Sequence, residues 1–252
     1  MIEKIDSALS KKDSSKSLKQ NLLPILKTFI DNNNANIKDL FMENKDGFYS
    51  GELRAKAIDA VILSTFDVVN TYAFPIANPT KADKLSIIAV GGYGRGNLAP
   101  GSDIDILILT PYKITPRIEQ IVETLLYILW DLKLKVGYAI RSLEDNISKA
   151  KLDNTICTAL LDARLISGDQ DLWIQFNTVF KLEILNKLKG NYAIGHNRYS
   201  TTGENTLRNI QPFFADTNAG GIGVAHNGNL TNSISLRNKL VKDGAIFYTT
   251  SD

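Results

Sequence analysis

The stretch Val90-Gly-Gly-Tyr-Gly-Arg-Gly-Asn-Leu-Ala-Pro-Gly-Ser-Asp-Ile-Asp-Ile-Leu-Ile-Leu109 decides the fold. An apolar run, Leu85 to Val90, feeds a glycine cluster. A second apolar run then carries two carboxylates, Asp103 and Asp105, one residue apart. On a strand, residues i and i+2 share a face, so the two acids project together while Ile104 and Ile106 turn into a core. Two carboxylates converging on one point repel each other unless a cation lies between them. Such oxygen donors suit a hard ion, Mg²⁺ above all, and such an ion usually also holds substrate phosphate. Glycines let backbone N–H groups approach that phosphate. The glycines lack the Gly-x-Gly-x-x-Gly spacing of a dinucleotide site opening a long helix, and no Walker lysine follows them.

The bland alternative is a buried strand ending in a solvated Asp pair. It is disfavoured because the glycine pair, Ser102 and the acid pair all coincide. Gly91-Gly92, ten residues, then Asp-Ile-Asp resembles the signature of the nucleotidyltransferase superfold of DNA polymerase beta. The fuller string through Tyr93-Gly-Arg-Gly96 resembles one branch of it, the uridylyltransferases that modify the nitrogen regulator PII. The segments 129–143 and 160–169 are similar to the same family, which places the resemblance over roughly residues 15 to 185. Asn97 stands where that family usually has an acid, and Tyr138 where a histidine is common.

The resemblance implies UTP as donor and a tyrosine hydroxyl of PII as acceptor. Asp103 and Asp105 would hold Mg²⁺. Backbone N–H groups near Gly91 and Gly92 and the Ser102 hydroxyl would hold the β- and γ-phosphates. Arg95 either adds charge at the leaving pyrophosphate or pairs with a nearby acid. Superfold members often need a third carboxylate on an adjacent strand. The expected strand 132–141 carries none, and Asp131 and Asp145 flank it with no ground to choose between them. The family's uridylyl-removing activity uses a histidine–aspartate metal domain. No histidine precedes His196, so that activity is not expected in the first segment. Transfer to a small molecule or an RNA end is a rival reading, and a non-catalytic truncated chimera is another.

The remaining chain is read from its patterning. Apolar positions from Ser17 to Ile30 recur at helical spacing, with Asn32 to Asn34 expected to break the helix. A second helix is expected over about 51–72, with Leu53, Ala57, Ala60, Val61, Leu63 and Val68 buried. Ile118 to Trp130 reads as an amphipathic helix, and Leu132 to Arg141 as a third strand. Ser142 is a candidate N-cap. Helices over 155–165 and 170–185 follow, with Gly168-Asp169 as the turn. Residues 1 to 13 are polar and read as a frayed end.

Beyond Lys187 the character changes. Ala193-Ile-Gly-His-Asn-Arg-Tyr-Ser-Thr-Thr-Gly203, then Ile222-Gly-Val-Ala-His-Asn-Gly-Asn-Leu-Thr-Asn232, resembles the glutaminase half of the amidophosphoribosyltransferases of purine synthesis. That resemblance implies a glutamine site in which Arg198 grips the α-carboxylate, Asn227 and the Gly228 N–H form an oxyanion hole, and Asp252 holds the α-amine. The family's nucleophile is an N-terminal cysteine. Here the sequence starts Met1-Ile2, and the single cysteine, Cys157, reads as a packing residue. The glutaminase segment is therefore expected to be inactive and the whole to be a chimeric join.

The expected fold class is α+β. A polymerase-beta-like nucleotidyltransferase domain with flanking helices (1–187) precedes a partial N-terminal-nucleophile (αββα) glutaminase fragment (188–252). Across 252 residues the net charge of +2 is spread evenly, which gives no footprint for nucleic acid. One cysteine excludes an internal disulfide and fits a reducing compartment. No apolar run reaches the ~18 residues of a membrane span and no signal-peptide core is present, so a cytoplasmic protein is expected.

Overall fold

The computed structural model describes residues 15–187, 212–218, 220–225, 232–245 and 247. They fall into two compact units, within Met1–Leu188 and Lys189–Asp252. In the first, four strands form a sheet of order β3-β2-β1-β4, with β1 Ser86–Ala89, β2 Ile104–Thr110, β3 Val136–Ser142 and β4 Arg164–Gly168. β1 runs antiparallel to β2 and to β4, whereas β2 and β3 are parallel. Helix α4 (Pro116–Asp131) makes the crossover that parallel neighbours require.

Helices cover both faces. On one lie α1 (Ser15–Asn44), α2 (Gly47–Val68) and α4, burying Leu22, Ile62 and Leu125 against Ile87, Ile104, Ile106 and Ile108. The other face receives α5 (Leu143–Leu152), α6 (Asn154–Leu161) and α7 (Gln170–Glu183). Ile147, Leu160 and Phe176 there meet Ile88, Leu107 and Leu109. Strict alternation along β2 feeds both cores, which is why an uninterrupted apolar run is needed there. The caps are chemical: Thr115, Ser142 and Asp169 accept from the backbone N–H groups of Ile118, Asp145 and Leu172.

Three expectations are corrected. Asn32 to Asn34 do not end α1, which runs to Asn44. Asparagine in a helix interior costs only ~0.7 kcal/mol against alanine. The Asn33 amide donates to Phe29 O at 2.8 Å, and buried Ile37 continues the inward face. The helical region reads differently at 155–165, because α6 stops at Leu161 and Arg164–Gly168 is a strand. Its pairing with β1 satisfies backbone groups that a longer helix would have satisfied itself. On α2 the buried face is Ala55, Ile58, Val61, Ile62, Thr65 and Phe66, while Leu63 is exposed. The α-helix gives way at Val69–Ala73 to a π-helical turn.

Cys157 is half-buried at the edge of the second core, and burial pushes its thiol up. The described part of the second unit is an antiparallel hairpin, β5 (Phe213–Thr217) and β6 (Gly220–Val224), and helix α8 (Ser233–Lys242). Among the described residues, no helix is long and apolar enough to cross a membrane.

Candidate active site

β2 positions the acid pair. Ile104 and Ile106 are buried on the α1/α2/α4 face, which turns Asp105 to the opposite face with Leu107 and Leu109. Asp105 is exposed on that face. Asp103 precedes the strand by one residue and is exposed. Partial desolvation against the cleft wall first, then the charge of Asp103, raises the Asp105 carboxyl above its ordinary value although the residue is open to solvent. Among the described residues neither acid forms an ion pair. Two unpaired carboxylates with one pKa pushed up form a donor set that a hard cation would relieve.

The glycine cluster sits beside them. Val90 N–H donates to Asp105 O at 3.0 Å, so the chain leaves β1 next to the pair. It turns at once into the short helix α3 (Gly91–Gly94), whose first residue has φ +58, in the left-handed region that favours glycine. A Cβ on Gly91 would lie 3.8 Å from Asp105 Oδ2. The first N–H groups of a helical turn have no intrahelical acceptor and face outward. Ser102 is exposed immediately before Asp103, in a turn closed by its N–H to Ala99 O.

A half-buried cluster packs under this loop. Tyr93 is fully buried and its hydroxyl donates to Asp59 Oδ1 of α2 at 2.5 Å. Arg164 of β4 forks onto the same carboxylate, with Nη1 at 2.7 Å from Oδ2 and Nη2 at 3.1 Å from Oδ1. Its guanidinium also lies over the Tyr93 ring, 5.6 Å from the centroid. Burial, then the Asp59 charge, holds the Tyr93 hydroxyl far above its usual pKa, so it remains a donor. Asn97, the departure noted in the sequence, donates to Phe48 O at 2.9 Å and packs on Gly51, where a Cβ would meet its Oδ1 at 2.3 Å.

Of the two readings left open for Arg95, the pairing is present: its Nη1 lies 2.8 Å from Asp162 Oδ2. Both side chains are exposed, and the guanidinium still passes over the loop, with Nη2 3.5 Å from where a Gly92 Cβ would be. The two flanking acids do not join the pair. Asp131 ends α4 and pairs with Lys19 of α1 at 2.5 Å, whereas Asp145 lies in the first turn of α5. Among the described residues, no third acid, histidine or cysteine completes a metal-binding group. Arg198, Asn227, Gly228 and Asp252 lie outside the described residues.

Several site residues escaped the sequence reading. Gly137 pairs with Asp105 across β2 and β3, and a Cβ on it would stand 2.5 Å from Asp105 Oδ1. A glycine inside an otherwise β-forming run was the available signal, because it marks a close approach. Asp59 and Arg164 had none, being 105 residues apart in the chain. A cleft of ≈ 360 Å³ opens from Gly91, Asp105 and Gly137 and extends over Leu107 and Ala139 beneath α6.

Residues 77–158 match the nucleotidyltransferase domain family. The bifunctional uridylyltransferase/uridylyl-removing enzyme of Azospirillum brasilense is 39% identical over 185 residues, covering 73% of this chain and 20% of that protein. The enzyme of the same name from Rhodospirillum rubrum is 43% identical over 160 residues, 63% of this chain and 17% of its own length. The enzyme of Caulobacter vibrioides is 41% identical over 148 residues, 59% and 16%. The chain thus spans about a fifth of the length of the curated relatives it matches. Its N-terminal part is homologous to these enzymes and carries the nucleotidyltransferase domain. The comparisons lend no support to the glutaminase resemblance or to a chimeric join.

Proposed function

We propose that residues 15–187 transfer UMP from UTP to a tyrosine hydroxyl of a PII-type protein, with Mg²⁺ held by Asp103 and Asp105. The observation that carries this reading is Asp105 lining a cleft beside Gly91 and Gly137, with Asp103 near enough for its charge to act on it. Nucleotidyl transfer is the activity of the homologous domain, and the relatives' name supplies the uridylyl group. Mg²⁺ bound there would neutralise the triphosphate and orient it for in-line attack. Asp103 and Asp105, at the start of a strand, would hold that ion on a rigid platform. The N–H groups of Gly91 and Gly92 and the Ser102 hydroxyl donate to the β- and γ-phosphates. Arg95, solvent-exposed over Gly92, reaches the pyrophosphate as it leaves. The tyrosine oxygen forms the new bond to the α-phosphorus, the α–β bridging bond breaks, and the hydroxyl proton is released to solvent.

The test is labelled-UTP transfer to PII with Mg²⁺. Asp103→Asn should abolish labelling while the protein keeps its melting transition. Full activity in that variant sinks the mechanism.

One observation favours a second reading, a nucleotide-binding module without turnover. The positions of β3 that share the Asp105 face are Gly137, Ala139 and Arg141, so the adjacent strand supplies no third carboxylate. Mg²⁺-dependent release of pyrophosphate separates the two readings. For residues 188–252 the proposal remains an inactive class II glutaminase fragment, with glutamine as its ligand. Titration of glutamine against the whole chain with no heat and no melting shift would dispose of that binding.

A further inference from the structure

The cleft has two chemically different ends. Asp105 marks one. At the other is Arg141, the one cationic side chain among the described residues that line it. The parallel register explains the placement. Asp105 faces Gly137, Leu107 faces Ala139 and Leu109 faces Arg141, so these six share one face of the sheet. Four residues of strand separate the levels of Asp105 and Arg141, or ~13 Å along the strand. That span matches the reach from an α-phosphate to the far edge of a nucleobase, and a triphosphate tail is shorter. Between the two ends the surface is apolar, with Leu107 and Ala139 below and Ile156 and Ala159 of α6 above.

Arg141 is held from behind. Its Nη1 donates to Asn146 Oδ1 at 3.2 Å. Asn146 is 0% exposed, and its Nδ2 has no partner among the described residues. The nearby acid, Asp153, is occupied as the N-cap of α6, accepting from Thr155 N at 2.7 Å and Ile156 N at 3.4 Å. Among the described residues it makes no ion pair with Arg141. Arg141 therefore presents N–H donors at this end, since a guanidinium has no acceptor and the Asn146 oxygen is already used. A guanidinium N–H meets the O4 carbonyl of uracil as donor to acceptor, whereas the 6-amino group of adenine would oppose it donor to donor.

We propose that Arg141 reads a carbonyl oxygen of the uracil ring and that Asn146 is its positioning residue. The inference rests on the nucleotidyltransferase reading and names the specificity determinant of that site. The apolar middle of the cleft takes the ring faces and the ribose, while Gly91 and the acid pair take the phosphates.

Calorimetric titration of the full chain with UTP, ATP and inorganic tripolyphosphate, each with Mg²⁺, tests this. Arg141→Ala should weaken UTP binding ~10- to 100-fold, the worth of a hydrogen bond to a charged group. It should leave tripolyphosphate unchanged and collapse the preference for UTP over ATP. Arg141→Lys, which keeps the charge but loses the fork, should retain part of that preference. Asn146→Ala should shift the UTP to ATP ratio in the same direction, a readout that a merely structural role would not move. Equal weakening of all three ligands would make Arg141 a phosphate contact and overturn the proposal. An unchanged UTP to ATP ratio in Arg141→Ala would overturn it too. Wild-type protein that binds neither UTP nor tripolyphosphate overturns the underlying nucleotidyltransferase reading along with it.

Discussion

Gly137 and Asp105 face each other across the parallel pair β2 and β3, and a Cβ on the glycine would come within 2.5 Å of the carboxylate oxygen. The position of the acid therefore depends on a residue with no functional group. Gly137→Ala should push the Asp105 side chain aside. Overpacking of this kind costs ~1–3 kcal/mol. A calorimetric Mg²⁺ titration and a transfer assay should both show loss, while circular dichroism keeps its folded signature. Full Mg²⁺ affinity in the variant would mean the carboxylate has room that the register denies it.

Asp105 is held partly against its own ionisation. Its folded pKa is raised, so between the ordinary carboxylate value and the raised one the native state binds more protons than the unfolded chain. Stability contributed by this group falls as pH rises through that window. Asp105→Asn should accordingly melt higher than wild type at neutral pH in chelator, and the difference should vanish in acid. It should also lose transfer. A lower melting temperature in the variant at pH 7 would contradict the account in which desolvation, and then the Asp103 charge, penalises the ionised carboxylate.

The Tyr93–Asp59–Arg164 cluster is expected to set the rigidity of the glycine loop. Tyr93→Phe removes one hydrogen bond to a charged acceptor, ~1.5–3 kcal/mol. Denaturant unfolding should register that loss. Arg164→Met should cost more, because it leaves Asp59 with only the tyrosine as partner.

Arg95 separates stability from substrate binding. Its pair with Asp162 is exposed and should be worth no more than ~1 kcal/mol. Arg95→Ala should unfold within about that margin of wild type, yet raise the KM for UTP. Unchanged KM would reduce Arg95 to a surface ion pair.

Asp153 caps the helix that roofs the cleft. The Thr155 backbone N–H, foremost, lowers its pKa. Its stabilisation is complete above the ordinary carboxylate value and is lost as pH falls through the lower folded one. The melting difference between wild type and Asp153→Ala should therefore shrink in acid, whereas Asp153→Asn, which caps without titrating, should hold at neutral pH.

The sequence by itself determined what period and spacing encode. Alternation along Ile104–Thr110 turns Asp105 away from the core that takes Ile104, Ile106 and Ile108. The amphipathic α4 and the Ser142 cap were legible for the same reason, because each is local. Asn32 to Asn34 misled because local propensity is weak beside an inward-facing Ile37. Leu165 misled because β4 exists only through its pairing with β1, some eighty residues earlier. Tertiary structure alone decided that Gly137 meets Asp105, that Arg164 forks onto Asp59, and that Arg141 ends the cleft against Asn146. Those contacts depend on strand order and register between distant segments, and no local periodicity carries that information.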